Sequence, residues 1–214
     1  MDTQKQKRSA FSGKIGFVLS AAGASVGLGN IWRFPYLAAK YGGDVAMVWI
    51  DAHPDITLPG DPYPGYHAMA VTACMGHGDA KIVAELPAAF DPSKILFVGL
   101  RNWERGEIKA RQHQYGIKHL TPEEVAADSD ALRAWLKSCG ASKVVVHFDM
   151  DVLDPAEIVA AVGTDPDGMK IEAVIRVIND IAAEKELVGL TVAEPMPRTA
   201  IRLRDMLGRL PLLE

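Results

Sequence analysis

From residue 45 onward, short apolar runs alternate along the chain with longer stretches of mixed polar and apolar residues. The apolar runs read VAMVWID, KILFVGL, KVVVHFDMD and LVGLTVAEP. They are rich in β-branched residues and apolar at successive positions, which is typical of parallel strands buried on both faces. Strands of this kind separated by helical stretches predict an α/β fold.

Two of the intervening stretches carry helix signals. Thr121-Pro-Glu-Glu offers a capping threonine with proline in the first turn, which predicts a helix over residues 121–140 that ends at Gly140. A second helix is predicted over residues 170–184.

The first 43 residues have a different pattern. Residues 1–8 are polar and basic, and residues 14–39 are small and apolar. The uncharged run 15–31 is close to the length of about 20 residues that a membrane-spanning helix needs. Basic flanks suit a cytoplasmic membrane face, and no cleavage site of a secretory signal is present. Membrane association through residues 15–39 is therefore one expectation.

The sequence of this segment, GFVLSAAGASVGLGNIWRFPYLAAKYGG, closely resembles the first transmembrane helix of the sodium:neurotransmitter symporters over residues 12–43. That helix is unwound in the family, and its backbone binds sodium near the bilayer midplane. The resemblance implies that Arg33 matches an extracellular gate residue and that the sodium-binding positions correspond to Gly23, Ser25, Val26 and Asn30. It does not continue past Gly43, so we expect no transport activity and place a domain boundary between residues 43 and 44.

Composition and charge narrow the function classes. The hydrophobic fraction of 49% and the charged fraction of 23% are ordinary for a globular protein. A net charge of −4 without a basic stripe gives no electrostatic basis for binding nucleic acid. The two cysteines, Cys74 and Cys139, lie outside any CxxC spacing, which argues against a thiolate zinc site and fits a reducing cytoplasmic setting.

Acidic residues stand where the predicted strands end. Because ligands of open parallel sheets collect at the carboxyl ends of the strands, Asp51, Asp149 and Glu194 are expected to converge on one edge. In WIDAHPDI, residues His53 and Asp55 follow Asp51 at spacings of two, so the three side chains share one face.

The run HFDMDVLDP adds Asp151 two residues after Asp149. Carboxylates with one imidazole and no thiolate suit Mn²⁺ or a similar divalent cation, and their mutual repulsion is costly unless a cation neutralises it. A two-metal site is chemically reasonable for this set of side chains. Four further histidines show no such partner pattern, and His147 is interpreted as a structural residue.

The motifs DAHPD, PGYHAM with His67, FDMDVLDP and LTVAEPMPR resemble the arginase/agmatinase family of ureohydrolases over residues 44–214. The resemblance implies a three-layer α/β fold and hydrolysis of a small guanidino compound to urea and an amine. It further implies two Mn²⁺ ions bridged by Asp51 and Asp149. His53 and Asp151 complete one ion, Asp55 serves the other, and Asp151 also stabilises the reaction intermediate. His67 shuttles protons, and Glu194 holds the guanidinium group.

One departure from the family pattern concerns an upstream loop motif, Gly-Gly-Asp followed by His or Cys. Here Gly42-Gly43-Asp44 is followed by Val45 and leads directly into a strand. One ion is thus expected to lack a ligand, with impaired activity, and the fold to be incomplete at its N-terminal side. The missing region would also supply the first strands of the family's sheet and part of its oligomer surface, so we expect an uncovered hydrophobic edge. A homo-oligomer is a further expectation.

Two other readings stay open at this point. One is a non-catalytic fusion protein whose N-terminal helix, a symporter fragment, associates with a membrane. The other is hydrolysis of a different carbon–nitrogen bond, as in metal-dependent deacetylases, which ranks last because their single-zinc signature is absent.

Overall fold

The computed structural model of the protein describes residues 28–63, 65–196 and 199–212. Its centre is a five-stranded sheet in which all neighbouring strands pair in parallel, with the order β3-β2-β1-β4-β5. The strands are β1 Val45–Ile50, β2 Ile95–Val98, β3 Lys118–Leu120, β4 Lys143–Asp149 and β5 Glu186–Ala193. The four predicted apolar runs are therefore strands, and the prediction of an α/β fold is confirmed. The additional strand, β3, is a partly exposed edge strand of sequence KHL, which carries no apolar run.

Seven α-helices connect or flank the strands in the described part of the chain. They are α1 Leu28–Lys40, α2 Ala70–Cys74, α3 Ala80–Val83, α4 Gly106–Tyr115, α5 Asp130–Ser138, α6 Ile171–Glu184 and α7 Ala200–Leu207. Short 3-10 turns occur at His67–Met69, Pro92–Lys94 and Met150–Val152. The helix predicted over residues 170–184 matches α6 within one residue.

The helix predicted over residues 121–140 is wrong at its beginning, since α5 starts at Asp130. Thr121 and Glu124 do form the reciprocal capping hydrogen bonds, at 2.7 and 3.3 Å. However, the Arg176 guanidinium on α6 donates to the backbone carbonyls of Val125, Ala126 and Asp128. Those carbonyls would have to accept i+4 amides in a continuous helix, so a contact from a distant helix limits the capped segment to a turn.

The sheet has two buried faces, as the alternation of side chains along a strand requires. In β1, Ala46, Val48 and Ile50 pack into one apolar core with α5, α6 and α7. The intervening Val45, Met47 and Trp49 pack into a second core with α1, α2 and Ile108 of α4. The fold therefore has three layers, helix, sheet and helix, and its central strand is buried on both sides.

Helix α1 belongs to the symporter-like segment yet forms part of the second core. Phe34 is fully buried, and its ring meets Trp49 edge-on with 6.2 Å between centroids. Leu37 and Ala38 are buried beside it, whereas Arg33 and Tyr36 face outward. Of the expected sodium-binding positions, Gly23, Ser25 and Val26 lie outside the described residues, and Asn30 is part of α1. No helix within the described ranges has the length and apolar character needed to cross a bilayer.

We expect Phe34→Ala to destabilise the protein by about 3–5 kcal/mol, because it removes a buried ring and leaves a cavity against Trp49. Tyr36→Ala on the same helix is the matched control. Tyr36 is 59% exposed, so its loss should change the free energy of unfolding by less than about 0.5 kcal/mol. Urea denaturation followed by circular dichroism measures both. Equal effects of the two substitutions would mean that α1 does not pack on the sheet.

Candidate metal centre

The carboxyl edge of the sheet brings the predicted acidic residues together. Asp51 directly follows β1, Asp149 ends β4 and Glu194 directly follows β5. These three strands are neighbours and run parallel, with Ile50 paired to Phe148 and Asp149 paired to Ala193. The expected convergence is therefore what the sheet produces.

Among the described residues, three groups of side chains have donor atoms that all lie within 4.8 Å of one another. Each combines residues from different strand ends, and Asp51, Asp149 and Asp151 each belong to two groups. The groups are Asp51 with His147 and Asp149, Asp51 with His53 and Asp151, and Asp149 with Asp151 and Glu194. Shared carboxylates make one continuous cluster rather than three separate sites.

His53 is held between carboxylates on both sides of its ring. Its Nδ1 lies 2.9 Å from Asp151 Oδ2 and 3.5 Å from Asp51 Oδ1, and its Nε2 lies 3.2 Å from Asp165 Oδ2. The backbone supports this arrangement, because the amide of His53 donates to Asp51 Oδ1 at 2.7 Å and the amide of Ala52 donates to Asp151 Oδ1 at 3.1 Å. The loop after β1 is thus tied directly to the end of β4.

Asp165 was not singled out in the sequence, and no motif there marks it. Asn102 Nδ2 donates to Asp165 Oδ1 at 2.7 Å, which fixes the carboxylate beside His53. Arg101 donates to the backbone carbonyls of Asp151 and Asp165 at 3.1 and 2.9 Å. A carboxylate on the outer nitrogen of a histidine orients the ring and sets its tautomer when the inner nitrogen binds a metal.

His147 is interpreted from the sequence as a structural residue, and the structure places its ring beside Asp51 and Asp149 in the cluster. It is 2% exposed and lies in β4, where Trp49 of β1 and Thr191 of β5 are its register partners. Its ring stacks on Trp49 with 3.8 Å between centroids, and its Nδ1 lies 3.0 Å from Thr191 Oγ1. A signal existed in the sequence, because side chains two positions apart in a strand share a face and Asp149 follows at that spacing.

Asp55, His67 and Glu194 line the same cavity but are placed differently. Asp55 has a positive φ of 48° and belongs to none of the three donor groups. His67 is exposed, with Nε2 3.0 Å from the Tyr63 hydroxyl. Glu194 is partly buried at a φ of 55°. Non-glycine residues in the left-handed region are uncommon and tend to occur at functional sites.

Gly42-Gly43-Asp44 takes no part in the cluster. The Asp44 carboxylate accepts hydrogen bonds from the amide and the hydroxyl of Ser142 at the start of β4, which is the opposite edge of the sheet. This tripeptide therefore resembles the upstream motif in sequence but does not lie at the cluster.

Burial and mutual repulsion raise the pKa values of most carboxyl groups in the cluster. Burial, reinforced by the charge of Asp151, raises the pKa of Asp51 to about 7. Burial and the charge of Asp51 also raise the pKa of Asp149 and of Asp55 well above the ordinary value. The pKa of Glu194 is raised by burial and by the charge of Asp151. Without a cation the cluster therefore retains protons that exposed carboxyl groups would lose.

The pKa values of the His53 and His147 imidazoles shift in opposite directions. Burial acts to lower the pKa of His53, but hydrogen bonds with Asp151 and Asp51 raise it to about 12. Burial acts to raise the pKa of Asp151, but the hydrogen bond with His53 lowers it. Burial lowers the pKa of His147 to about 3, so this ring is neutral. Since metal binding requires a neutral imidazole, a cation at His53 must displace a proton.

The stability of the metal-free protein should therefore fall as the pH rises. Asp51 has an ordinary pKa of 3.8 when unfolded and about 7 when folded, so between these values the folded state binds more protons and rising pH favours unfolding. Asp55, Asp149 and Glu194 act in the same direction, and His147 acts against them. Between pH 4 and pH 7 the free energy of unfolding of the wild type should fall. We expect Asp51→Asn to reduce this fall by up to about 4 kcal/mol, at about 1.4 kcal/mol per pKa unit.

Urea denaturation with a chelator present, at a series of pH values, measures that difference. Saturating Mn²⁺ should flatten the dependence in the wild type, because a bound cation replaces the retained protons. Parallel curves for the wild type and Asp51→Asn would contradict the assignment of the slope to this residue.

The donor set fits divalent cations of the Mn²⁺ type. Oxygen and imidazole donors predominate, and the three groups contain no thiolate. Cys74 and Cys139 are both buried elsewhere in the core. Burial and mutual repulsion make the charged forms of these carboxyl groups unfavourable, and a bound cation would compensate for both effects.

The cluster opens into a cavity of about 450 Å³. Its walls carry the carboxylates and imidazoles already named together with Thr57, Tyr63, Trp103 and Glu104. That volume is within the usual range for binding sites of small molecules. The cavity can accommodate a small polar molecule in contact with the cluster.

Comparison with known proteins gives two different matches along the chain. The profile of the Arginase family matches residues 32–205, and that of the Sodium:neurotransmitter symporter family matches residues 8–50. The symporter match therefore extends beyond Gly43, where the resemblance was expected to end. Because the two ranges overlap at residues 32–50, the domain boundary between residues 43 and 44 stays a prediction.

Individual relatives agree with both matches. The arginase of Entamoeba histolytica is 30% identical over 179 residues, which are 81% of this chain and 60% of that protein. The sodium- and chloride-dependent taurine transporter of Rattus norvegicus is 53% identical over 47 residues, which are 22% of this chain and 8% of the transporter. This chain thus spans less than two thirds of the length of either protein.

The solved structures give the same result for the fold. The crystal structure of Entamoeba histolytica arginase in complex with L-ornithine superposes with a TM-score of 0.65 at 24% identity, over 72% of this chain and 53% of that one. The likeness supports the three-layer fold, including the parallel sheet whose carboxyl edge holds the cluster.

Proposed function

Since the chain belongs to the arginase family, we propose that it is a metal-dependent hydrolase that cleaves a small guanidino compound to urea and an amine. The observation that carries the proposal is the merging of three donor groups on shared carboxylates inside one cavity, with Glu194 at its wall. A continuous cluster of this kind can hold two neighbouring cations, whereas isolated acidic groups can hold one at most.

Asp51 and Asp149 are the residues proposed to be shared between two Mn²⁺ ions. Asp51 joins the groups containing His53 and His147, and Asp149 joins those containing His147 and Glu194. When bound, such cations polarise the guanidino carbon and make a water molecule nucleophilic at neutral pH. Asp55 is proposed to reach the cluster from its place in the cavity wall after a change of rotamer, since its carboxylate is outside the three groups.

Glu194 is the residue proposed to bind the guanidinium group. A carboxylate can accept two parallel N–H bonds from guanidinium, which fixes the group in both position and plane. Its backbone at φ 55° follows β5 directly, so the side chain is set by a rigid strand. Burial and the charge of Asp151 raise the pKa of Glu194, and a bound cationic substrate would favour its charged form.

Two side chains are proposed to manage protons and charge. Asp151, fixed by the ring of His53 and by the amide of Ala52 in the loop after β1, would stabilise the positive charge of the reacting guanidino centre. His67 stands at the exposed mouth of the cavity against Tyr63, where it can exchange protons with solvent and pass one to the departing amine.

The substrate class is proposed to be a guanidino compound with a side chain short enough for the cavity. L-ornithine, the ligand of the Entamoeba structure, has the size of an amine product that this cavity would release. Urea formation from L-arginine, agmatine and related guanidino compounds by the full chain with Mn²⁺ tests the proposal. Release of urea from at least one of them supports it, and no urea from any of them with two Mn²⁺ bound would refute it.

A further inference from the structure

We propose that His147, from within strand β4, supplies the imidazole ligand of one of the two cations, together with Asp51 and Asp149. The inference rests on the proposed function, because it assumes that the cluster binds divalent cations. In the family pattern, a ligand of this cation lies on an upstream loop. The tripeptide that resembles that motif here ends in Asp44, whose carboxylate accepts a hydrogen bond from Ser142 at the opposite edge of the sheet. The structure assigns the nitrogen ligand to the sheet itself.

The distances at His147 suit a shared cation better than a direct hydrogen bond. Nε2 lies 3.8 Å from Asp51 Oδ2 and 3.9 Å from Asp149 Oδ2. Hydrogen bonds of this type are about 2.7–3.2 Å long. Ligand atoms that each bind one cation at about 2.0–2.2 Å lie roughly 3–4 Å apart. Nε2 thus lies at the distance from both oxygens that ligands of one shared cation have.

The ring of His147 is held in the orientation that such a ligand requires. Trp49 covers one face of the ring, and Trp49 Nε1 donates at 3.0 Å to Asp51 Oδ2, the same oxygen that Nε2 faces. On the other side, Nδ1 lies 3.0 Å from Thr191 Oγ1. If Nδ1 donates its proton to that hydroxyl oxygen, the lone pair is on Nε2 and points into the cluster. Three neighbouring strands therefore hold the ring in one orientation, with Nε2 toward the cluster.

The arrangement also gives each cation its own imidazole. His53 and His147 belong to different donor groups, and the member that these groups share is Asp51. His53 is held by Asp151 on one side of Asp51, and His147 faces Asp149 on the other. A bridging carboxylate with one histidine on each flank is a balanced donor set for two cations, without any contribution from a loop before β1.

The experiment counts nitrogen ligands and bound cations on the full chain. Pulsed electron paramagnetic resonance of bound Mn²⁺ detects imidazole nitrogens directly, and isothermal titration calorimetry gives the number of ions and their affinities. For the wild type we expect two bound Mn²⁺ and nitrogen couplings from two inequivalent imidazoles. His147→Ala should retain the coupling of His53 alone and weaken one of the two sites by at least about tenfold, since loss of outer supporting groups already costs 10–100-fold.

Thr191→Val is the second variant, because it keeps the ligand and removes only its hydrogen-bond partner. It should weaken the same site by about tenfold while both nitrogen couplings persist. His119→Ala is the matched control, since His119 is a partly buried histidine bonded to Gln112 away from the cluster. It should bind two Mn²⁺ like the wild type.

The outcomes separate this inference from the proposed function. One nitrogen coupling in the wild type with two bound ions, or unchanged affinities in His147→Ala, would overturn the role of His147 and leave the hydrolase proposal standing. No Mn²⁺ binding by the folded wild type would overturn both. If His147→Ala fails to fold, the nitrogen count of the wild type and the affinity of Thr191→Val decide the question.

Discussion

Asp149→Ala is expected to reduce urea formation by at least about 10³-fold and to prevent the binding of two Mn²⁺ ions. Asp149 ends β4, belongs to two of the three donor groups and is proposed to bridge the cations. Metal ions contribute several kcal/mol to such hydrolysis, and each 1.36 kcal/mol is a factor of ten in rate. Calorimetric titration and a urea assay at saturating Mn²⁺ measure both effects.

Asp149→Ala should also stabilise the protein against unfolding when no metal is bound. Burial and the charges of Asp51 and Asp151 keep the pKa of Asp149 raised, so removing the carboxylate relieves repulsion and should raise the midpoint of thermal unfolding in a chelator. Asp44→Asn is the control, because it changes an aspartate at the opposite edge of the sheet, away from the cluster. Should Asp149→Ala bind two ions with wild-type affinity, the cluster would not be the metal centre.

Glu194→Gln is expected to reduce urea formation by about 10²–10³-fold while two Mn²⁺ ions still bind. Glutamine keeps the shape of the side chain but replaces one acceptor oxygen by an amide and removes the charge that pairs with guanidinium. Loss of one partner of a desolvated charge pair costs about 2–5 kcal/mol. Steady-state kinetics with the best guanidino substrate and calorimetry with Mn²⁺ give the two readouts.

The metal readout decides between two roles for Glu194. Its carboxylate lies within 4.8 Å of donor atoms of Asp149 and Asp151, so it is placed to touch either a cation or a substrate. A large fall in Mn²⁺ affinity would identify Glu194 as a ligand and refute its role as the guanidinium partner. Glu186→Gln, an exposed glutamate at the other end of the same strand, should leave both measurements unchanged.

The symporter-like segment contributes structure to the α/β fold. Helix α1 shields Trp49 and the first strand with Phe34, Leu37 and Ala38, and its exposed positions include Arg33, Tyr36 and Lys40. A helix needs one apolar stripe to cover a sheet, and this stretch provides it whatever its ancestry. The arginase-family profile accordingly begins at residue 32, inside α1.

Much of the metal centre could be predicted because it depends on local patterns. Runs buried on both faces identify parallel strands, and parallel strands bring their carboxyl ends to one edge, so the meeting of Asp51, Asp149 and Glu194 follows from their positions in the sequence. The spacing of two residues likewise led to the prediction that His53 lies near Asp51 and Asp151 near Asp149. Both pairs extend past the strands, into the loop after β1 and the 3-10 turn after β4. These relations hold over two or three residues and need no knowledge of the rest of the chain.

The sequence by itself thus determined the α/β class, four of the five described strands and the edge at which the acidic residues meet. Only the tertiary structure decided which residues complete that edge. His147 acquires its place from the pairing of β1, β4 and β5, Asp165 from its bonds with Asn102 and His53, and the start of α5 from the reach of Arg176. Each of these depends on contacts between segments far apart in the chain, which periodicity and capping signals do not encode.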